Sequence, residues 1–419
     1  MRFRIKSGMT LLQGTVMINL LRGMKDLTFE ESERFEYIVN TAATIARRYG
    51  YGYIETPILE ETALFKRSVG ESSDIVGKEM YQFTDKGEND VCMRPEGTAG
   101  IVRAFISAKL DRQPVKQKFY YYGPMFRYEK PQKGRLREFH QFGCESFGED
   151  SVYEDFTIIT MIAQIFDALG IGYELQINSL GCKVCMPKYR ETLVSSLTEI
   201  KEELCEDCNR RIGTNPIRVL DCKNDKCQAL LVESPKLKDY LCEACDPEFR
   251  KLKALLDQEG IKYTVNDNLV RGLDYYSKTA FEFVSSEIGA QSAIAGGGRY
   301  DRLVEFLDGK PTPAVGFALG IERIMELVKM PEKEAEGYYM GAMTQEAIPA
   351  LLKLATKKRL TDKVTVEYSS KGFKSHMKGV DKANAKYVVL IGEDELNNGT
   401  VWLKDLESKE ERVIDINDL

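Results

Sequence analysis

Tyr120-Tyr121-Tyr122-Gly123-Pro124 leads into Phe126-Arg127-Tyr128-Glu129, and the run Glu138–Phe147 follows close behind. Lys118–Tyr122 and Glu138–Phe147 have the aromatic-rich composition of strands. Upstream, Thr28 and Glu31 have the spacing of a capping box. They open a helix with Phe35, Ile38, Ala42, Ile45 and Tyr49 on one face. Arg47 and Arg48 suit its C-terminal dipole, and Gly50 provides a left-handed stop. Tyr53–Thr56 reads as a strand ended by Pro57. Downstream, Ser151–Leu169 has helical periodicity, Gly170 stops it, and Tyr173–Asn178 returns to strand. Strands with interspersed helices, several of the strands antiparallel, predict an α+β domain.

The 419 residues exceed one ordinary core and suggest two or three domains. At 43% hydrophobic and 30% charged, with 33 Gly and 13 Pro, the chain is neither collagen-like nor disordered. No window of eighteen apolar residues is present, so no membrane span or membrane partner is expected. Met1–Leu21 is a poor signal peptide, because Gln13, Gly14 and Asn19 interrupt its apolar stretch. Ten cysteines without an export signal point to a reducing, cytoplasmic setting, where paired Cys more often hold metal than form disulfides. The net charge of −6 means a nucleic-acid partner must be held by local patches. Two stretches qualify. Lys109–Glu138 carries nine basic residues against three acidic, and Lys353–Lys386 ten against three. A solvated face is the plainer alternative for either.

Eight cysteines fall between Gly181 and about residue 250, among helix-forming Lys/Glu/Leu stretches. Strand patterning resumes at Tyr263 and ends in a helix near Val328, so the Cys-rich block reads as an insertion in a larger domain spanning residues 17–330. Pro331–Gly337 is a polar linker. From Tyr338 to Leu419, strand and helix patterns alternate as in a small α/β module, with Asn397-Asn398-Gly399 as a turn before a final hairpin.

The chemistry does not rest on histidine, since only His140 and His376 exist, and no Walker A loop is present. Arginine instead recurs beside strand-like, glycine- and aromatic-rich segments. These are Phe126-Arg127-Tyr128-Glu129, Leu269-Val270-Arg271-Gly272-Leu273-Asp274-Tyr275-Tyr276, and Gly320-Ile321-Glu322-Arg323. Each guanidinium presents a planar fork suited to phosphate oxygens. Leu21-Arg22-Gly23-Met24-Lys25-Asp26, the helix–strand–Pro57 unit, Phe126–Glu145 and Gly316–Arg323 resemble the opening segment and motifs 1, 2 and 3 of class II aminoacyl-tRNA synthetases. Leu269–Tyr276 and Ala295-Gly296-Gly297-Gly298-Arg299-Tyr300-Asp301 are similar to segments specific to the bacterial histidyl-tRNA synthetase family.

The resemblance implies a class II antiparallel-sheet catalytic core, a Cys-rich helical insertion and a C-terminal α/β anticodon-binding domain. It implies a cytoplasmic homodimer, with motif 1 as dimer element, that joins L-histidine to tRNA-His using ATP and Mg²⁺. Activation needs no general base, because the attacking carboxylate is already ionised at neutral pH. It needs positive charge around the phosphates. By resemblance, Arg127 grips the α-phosphate, Arg323 the γ-phosphate end, and Arg271 the α-phosphate beside the attacking carboxylate. Glu96, Gly97 and Thr98 belong to an amino-group loop. Gln141 faces the ammonium, Glu145 with Tyr276 the imidazole, Arg135 and Arg137 help position ATP or the tRNA end, and Tyr275 and Tyr300 complete the pocket. Gln141 and Glu145 share one strand face by their spacing. Without the resemblance, Glu145 would read as a structural carboxylate paired with an arginine. A catalytically dead regulatory subunit, such as that of ATP phosphoribosyltransferase, and another class II synthetase are the rival readings. Arg271–Tyr276 argues against both.

Cys182/Cys185, Cys205/Cys208 and Cys242/Cys245 are C-x₂-C pairs, and Cys222/Cys227 is wider. Nineteen residues separate Cys185 from Cys205, a zinc-ribbon-like interval. A structural Zn²⁺ in a small insertion is one expectation, and buried thiols acting as apolar side chains are the other. Residues 1–16 precede the usual family start and read as a non-native extension, with Met17 the natural beginning.

Overall fold

A computed structural model describes residues 18–419 apart from 71–72, 133, 223 and 290–292. The expected N-terminal extension lies outside the described residues. The chain divides into two compact units, the first ending at Lys329 and the second spanning Met330–Leu419.

The first unit opens with helix α1 (Glu30–Arg48), which buries Ile38, Val39, Ala42, Ala43, Ile45 and Ala46. Its expected capping box does not form. Phe29 is the N-cap, at φ 52°, and Glu31 pairs with Lys25 at 2.5 Å instead. Strand β1 is only Gly52–Tyr53. The expected strand to Thr56 stops early because the chain leaves the sheet edge after Ile54, whose N–H still reaches the Tyr120 carbonyl at 3.0 Å. A small sheet, β2 (Leu59–Glu61), β3 (Gln82–Thr84) and β4 (Asp90–Met93), packs with helix α2 (Thr62–Val69). It delivers the chain into α3 (Thr98–Ser107).

The principal sheet then follows: β5 (Gln117–Phe126), β6 (Glu138–Phe147), β7 (Glu174–Ser179), β8 (Tyr263–Val265), β9 (Ser277–Val284), β10 (Ala293–Arg299) and β11 (Ala314–Gly320). Its order is β1-β5-β6-β11-β10-β9-β7-β8, with parallel edge pairs and antiparallel pairing throughout the middle. Because side chains alternate along strands, register fixes two unlike faces. One face carries Tyr120, Phe142, Cys144, Phe281, Phe283, Val315, Phe317 and Leu319, buried against α1 and α4 (Val152–Ala168). The other face is nearly bare. Gly143 pairs with Ala318, which pairs with Gly296, and Glu145 pairs with Gly316, which pairs with Gly298. Tyr121, Gln141 and Glu282 project from it.

Between β7 and β8, helices Met186–Glu199 and Glu206–Thr214 enclose an apolar cluster including Leu180, Tyr189, Leu193, Leu197, Val219 and Leu231, while helix Cys245–Glu259 buries Phe249, Leu252 and Leu256 in the main core against α4. In the second unit, β12 (Tyr338–Ala342) lies between β13 (Val364–Glu367) and β14 (Tyr387–Ile391). β15 (Thr400–Asp405) and β16 (Glu411–Asp415) follow as an antiparallel hairpin. Asn397 and Asn398 are not a turn. They end a short helix, Glu393–Asn398, that Gly399 stops at φ 67°.

Arg299 is the largest fully buried side chain. It donates to Asp155 at 2.7 Å, to the Glu149 carbonyl at 2.9 Å and to the Ser151 carbonyl at 2.6 Å. It therefore clamps β10 to the start of α4. Removing one partner of a buried pair typically costs about 3–5 kcal/mol, because the other charge is left unpaired. Arg299→Met is expected to destabilise the first unit by that order, and Arg302→Met, at an exposed site, by less than about 0.5 kcal/mol. Denaturant unfolding of the two variants side by side checks this.

Candidate active site

The bare face of the principal sheet floors a cleft of about 210 Å³ lined by Arg127, Arg135, Gln141, Arg271, Glu282 and Arg323, among others. Arg127 leaves the end of β5, and its Nε donates to the Pro95 carbonyl at 2.9 Å. Arg323 lies in the short helix Ile321–Met325 after β11, and its Nε donates to the Gly134 carbonyl at 3.2 Å. Arg271 comes from the loop before β9 and pairs with Glu282 at 2.7 Å. Three distant parts of the chain thus bring guanidinium groups to one cavity. Burial pulls the pKa of Arg323 down, and the neighbouring positive charges of Arg135 and Arg127 push it the same way. Burial likewise lowers Arg127 and Arg135. Burial opposes the charge of Arg271 too, but Glu282 together with Tyr276 and Tyr275 more than restores it. A cleft whose cations depress one another is one that an anion stabilises. Gly296 is required by close approach, since a Cβ there would sit 2.4 Å from Arg271 Nη1.

Behind the cleft lies a pocket of buried polar groups. Glu145 accepts from Thr98 Oγ1 at 2.8 Å and from Tyr121 Oη at 3.3 Å, and Tyr300 Oη also donates to it. Its partners are hydroxyls rather than the arginine that a purely structural carboxylate would take. Glu96 accepts from the Thr98 and Ala99 N–H groups at 2.7 and 2.8 Å, capping α3, and receives Tyr275 Oη at 3.5 Å. Tyr276 places its ring 5.6 Å from the Arg271 guanidinium. Gln141 Oε1 is buried and has no hydrogen-bond partner, so an acceptor faces the cleft ready for a donor. Gly97 closes the pocket wall against Tyr121, with room for no side chain.

Three contributors do not stand out in the sequence. Tyr121 faces Gly143 across β5–β6. Glu282 is the one charge in Phe281-Glu282-Phe283, a polar residue at an alternate position in an apolar strand, which is a readable signal. Glu129 is buried and paired with Arg135. Arg137 lies over the Tyr128 ring at 3.7 Å and does not line the cleft. The histidines are structural. His140 Nδ1 meets Glu322 at 2.8 Å, and buried His376 lies between Tyr339 Oη at 3.1 Å and the Ala342 carbonyl at 3.0 Å.

The cysteines gather into two groups of four, Cys182, Cys185, Cys242, Cys245 and Cys205, Cys208, Cys222, Cys227. The nineteen-residue interval is therefore misleading, because the Cys182/Cys185 pair joins Cys242/Cys245 across the base of the insertion. Cys92 and Cys144 are fully buried.

An antiparallel sheet floored with glycine, carrying arginines from the loop after one strand and the helix after another, defines a class II aminoacyl-tRNA synthetase core. Comparison with known proteins makes this specific. The histidyl-tRNA synthetase family model matches residues 23–206 and 221–324, and an anticodon binding domain matches 339–419. A histidine–tRNA ligase of Sulfurovum sp. (strain NBC37-1) is 80% identical over 95% of this chain and 99% of its own. The crystal structure of apo S. aureus histidyl-tRNA synthetase superposes with a TM-score of 0.79 at 34% identity, covering 96% of this chain and 98% of that one. An ATP phosphoribosyltransferase regulatory subunit/histidyl-tRNA synthetase from Bacillus halodurans C, 21% identical with a TM-score of 0.64 over 90% of this chain and 99% of that one, shares the fold. The chain belongs to the histidyl-tRNA synthetase family.

Desolvation raises the Glu145 carboxyl to about 8, although hydrogen bonds from Tyr300 and Thr98 oppose the shift. The folded protein therefore holds a proton there that the unfolded chain releases above about pH 4.3. Stability should fall as pH rises from that value through about 8, and Glu145→Gln should flatten this slope. Equilibrium unfolding across the interval checks it, and parallel slopes for the two proteins would place the charge elsewhere.

Proposed function

We propose that the cleft activates L-histidine with ATP and that the chain then transfers histidine to the 3′ end of tRNA-His. The observation that carries the site assignment is the convergence of Arg127, Arg271 and Arg323 on one cavity beside the Glu145 pocket. In activation, a histidine carboxylate oxygen attacks the α-phosphorus, the new C–O–P bond forms, and the bond to pyrophosphate breaks. Arg127 and Arg271 hold the α-phosphate oxygens as charge builds on them, and Arg323 holds the far end of the triphosphate. A Mg²⁺ ion bound with the nucleotide would supply positive charge to its outer phosphates. Glu129 and Glu282 are the carboxylates of the cleft nearest its arginines.

Histidine's ammonium donates to Gln141, Glu96 and Thr98, and its imidazole meets Glu145 and Tyr276. The unpartnered Gln141 oxygen supports the first assignment. A substrate without the imidazole strands the pocket's polar groups, an effect that can discriminate by about 10⁴–10⁵. In the second step a ribose hydroxyl of the terminal adenosine attacks the adenylate carbonyl carbon, AMP leaves, and the hydroxyl proton passes to a phosphate oxygen. The chain works in the cytoplasm as a homodimer. Exposed Tyr53, Ile58, Leu59 and Tyr122 around the short edge strand β1 support an interface there. No helix among the described residues is long and apolar enough to cross a membrane.

Arg271→Ala should leave the fold intact and reduce histidine-dependent pyrophosphate exchange by about 10²–10³, the usual cost of one such donor. Near wild-type exchange would remove Arg271 from the chemistry. In the second unit, Lys374, Lys378 and Lys382 are exposed at four-residue intervals on helix Phe373–Ala383, one face ready for phosphates. Replacing all three with Ala should weaken tRNA-His binding and reduce the salt-dependence slope by about 2–3, near one unit for each phosphate no longer neutralised. Binding titrations at several salt concentrations give that slope.

A further inference from the structure

The insertion between β7 and β8 is small and its apolar cluster modest, yet it holds eight thiols in two sets. Within each set every sulfur lies within 4.8 Å of the others, and the Cys182–Cys185, Cys182–Cys242 and Cys205–Cys222 separations are all 3.8 Å. A disulfide needs about 2.05 Å, so these sulfurs are not bonded to one another. Zinc at about 2.3 Å from each of four thiolates sets a tetrahedron edge of about 3.8 Å. The spacing is that of ligands around one ion.

The backbone supplies a second, independent sign. Val184 N–H points at Cys182 Sγ at 3.4 Å, Cys242 N–H at Cys185 Sγ at 3.2 Å, Cys205 N–H at Cys227 Sγ at 3.3 Å and Asn224 N–H at Cys222 Sγ at 3.4 Å. N–H donors aimed at sulfur favour the charged thiolate and fix its direction, as partners of metal ligands do. Gly181, at φ 62°, lets the chain turn where a Cβ would press on Cys185 at 2.7 Å. Two cysteines of the first set and three of the second are buried, and the remainder are half-buried, so an ion would be shielded from solvent.

We propose that this chain carries two structural zinc ions, each held by four thiolates. The first, on Cys182, Cys185, Cys242 and Cys245, ties the point where the insertion leaves β7 to the start of the helix that leads back to β8. The second, on Cys205, Cys208, Cys222 and Cys227, closes the middle of the insertion. Zinc supplies no redox step here; it supplies the cross-links that a small core lacks. The stapled insertion in turn braces the loop that bears Arg271. Val270 is part of its apolar cluster, Asn215 donates to Asp274 at 2.9 Å, and Lys236 donates to Asn268 at 3.1 Å.

Elemental analysis of the full chain, purified reduced and without chelator, should find two zinc ions per chain. Cys182→Ala/Cys242→Ala and Cys205→Ala/Cys222→Ala should each retain one, and Cys92→Ala/Cys144→Ala both. Where a double variant fails to fold, the wild-type chain refolded with cobalt(II) should show tetrahedral thiolate absorption at two equivalents. Fewer than two zinc ions in the wild type, iron in their place, both ions kept in either of the first two variants, or saturation of the cobalt bands at one equivalent would overturn the proposal. Zinc removal should also speed amide exchange in residues 269–276 more than in β5 and β6, and equal change in both would remove the bracing. The metal count is independent of the cleft's substrate, so its failure would leave the histidine reading untouched.

Discussion

Holding several like charges around one cleft is the constraint that shapes the first unit. Two unit charges about 4 Å apart interact by about 4 kcal/mol at an effective dielectric near 20, so crowded arginines resist folding unless something fixes them. Arg271 and Arg135 are answered by Glu282 and Glu129. Arg127, which also lies 3.9 Å from a Glu129 carboxylate oxygen, and Arg323 lean in addition on carbonyl oxygens of Pro95, Gly134 and Ala293. Carbonyl dipoles orient a guanidinium without cancelling its charge. A guanidinium held in this way keeps its positive potential for a bound phosphate, and the folding of the sheet has already borne the cost of placing it.

The same constraint explains the two-faced sheet. Strand alternation puts bulk toward α1 and α4 and leaves Gly143, Gly296, Gly298, Gly316 and Ala318, among others, on the other face. Side chains there would fill the cleft that the proposed substrates would occupy. Gly316 shows how tight the arrangement is, since a methyl group at that position would overlap the Glu145 carboxylate and press on the Cys144 carbonyl. The small residues are thus a consequence of the cleft, while the aromatic residues one position away hold the sheet to its helices.

Much of this is legible in the sequence. Glu138–Phe147 is a strand with the expected bounds, and Gln141 and Glu145 share a face because a two-residue period allows no other outcome. The arginine segments are visible through their glycine- and aromatic-rich surroundings. Other features are not. Thr28 and Glu31 match a capping box, but the chain enters α1 through a strained Phe29 and Glu31 turns to Lys25. Asn397-Asn398-Gly399 matches a turn, but a preceding acidic run makes it the end of a helix. The pairing of the cysteines depends on where the insertion folds back, a long-range event that local spacing does not encode. The glycine floor emerges only when neighbouring strands are placed in register.

The insertion sits where it can affect one arginine and not the others. Arg127 follows β5 and Arg323 lies in the helix after β11, and they rest on carbonyls of Pro95 and Gly134, outside the insertion. Arg271 lies in a loop outside the strands, and groups on the insertion hold that loop: Lys238 at Asp267, Lys236 at Asn268, and Asn215 at Asp274. The end of the cleft proposed to take the triphosphate is therefore built outside the insertion. The guanidinium proposed to lie beside the attacking carboxylate is set by a segment in which the family match itself is interrupted, at residues 207–220. On the proposed reading, substitutions in the insertion would then retune how histidine is presented to the α-phosphate without disturbing how the nucleotide is held.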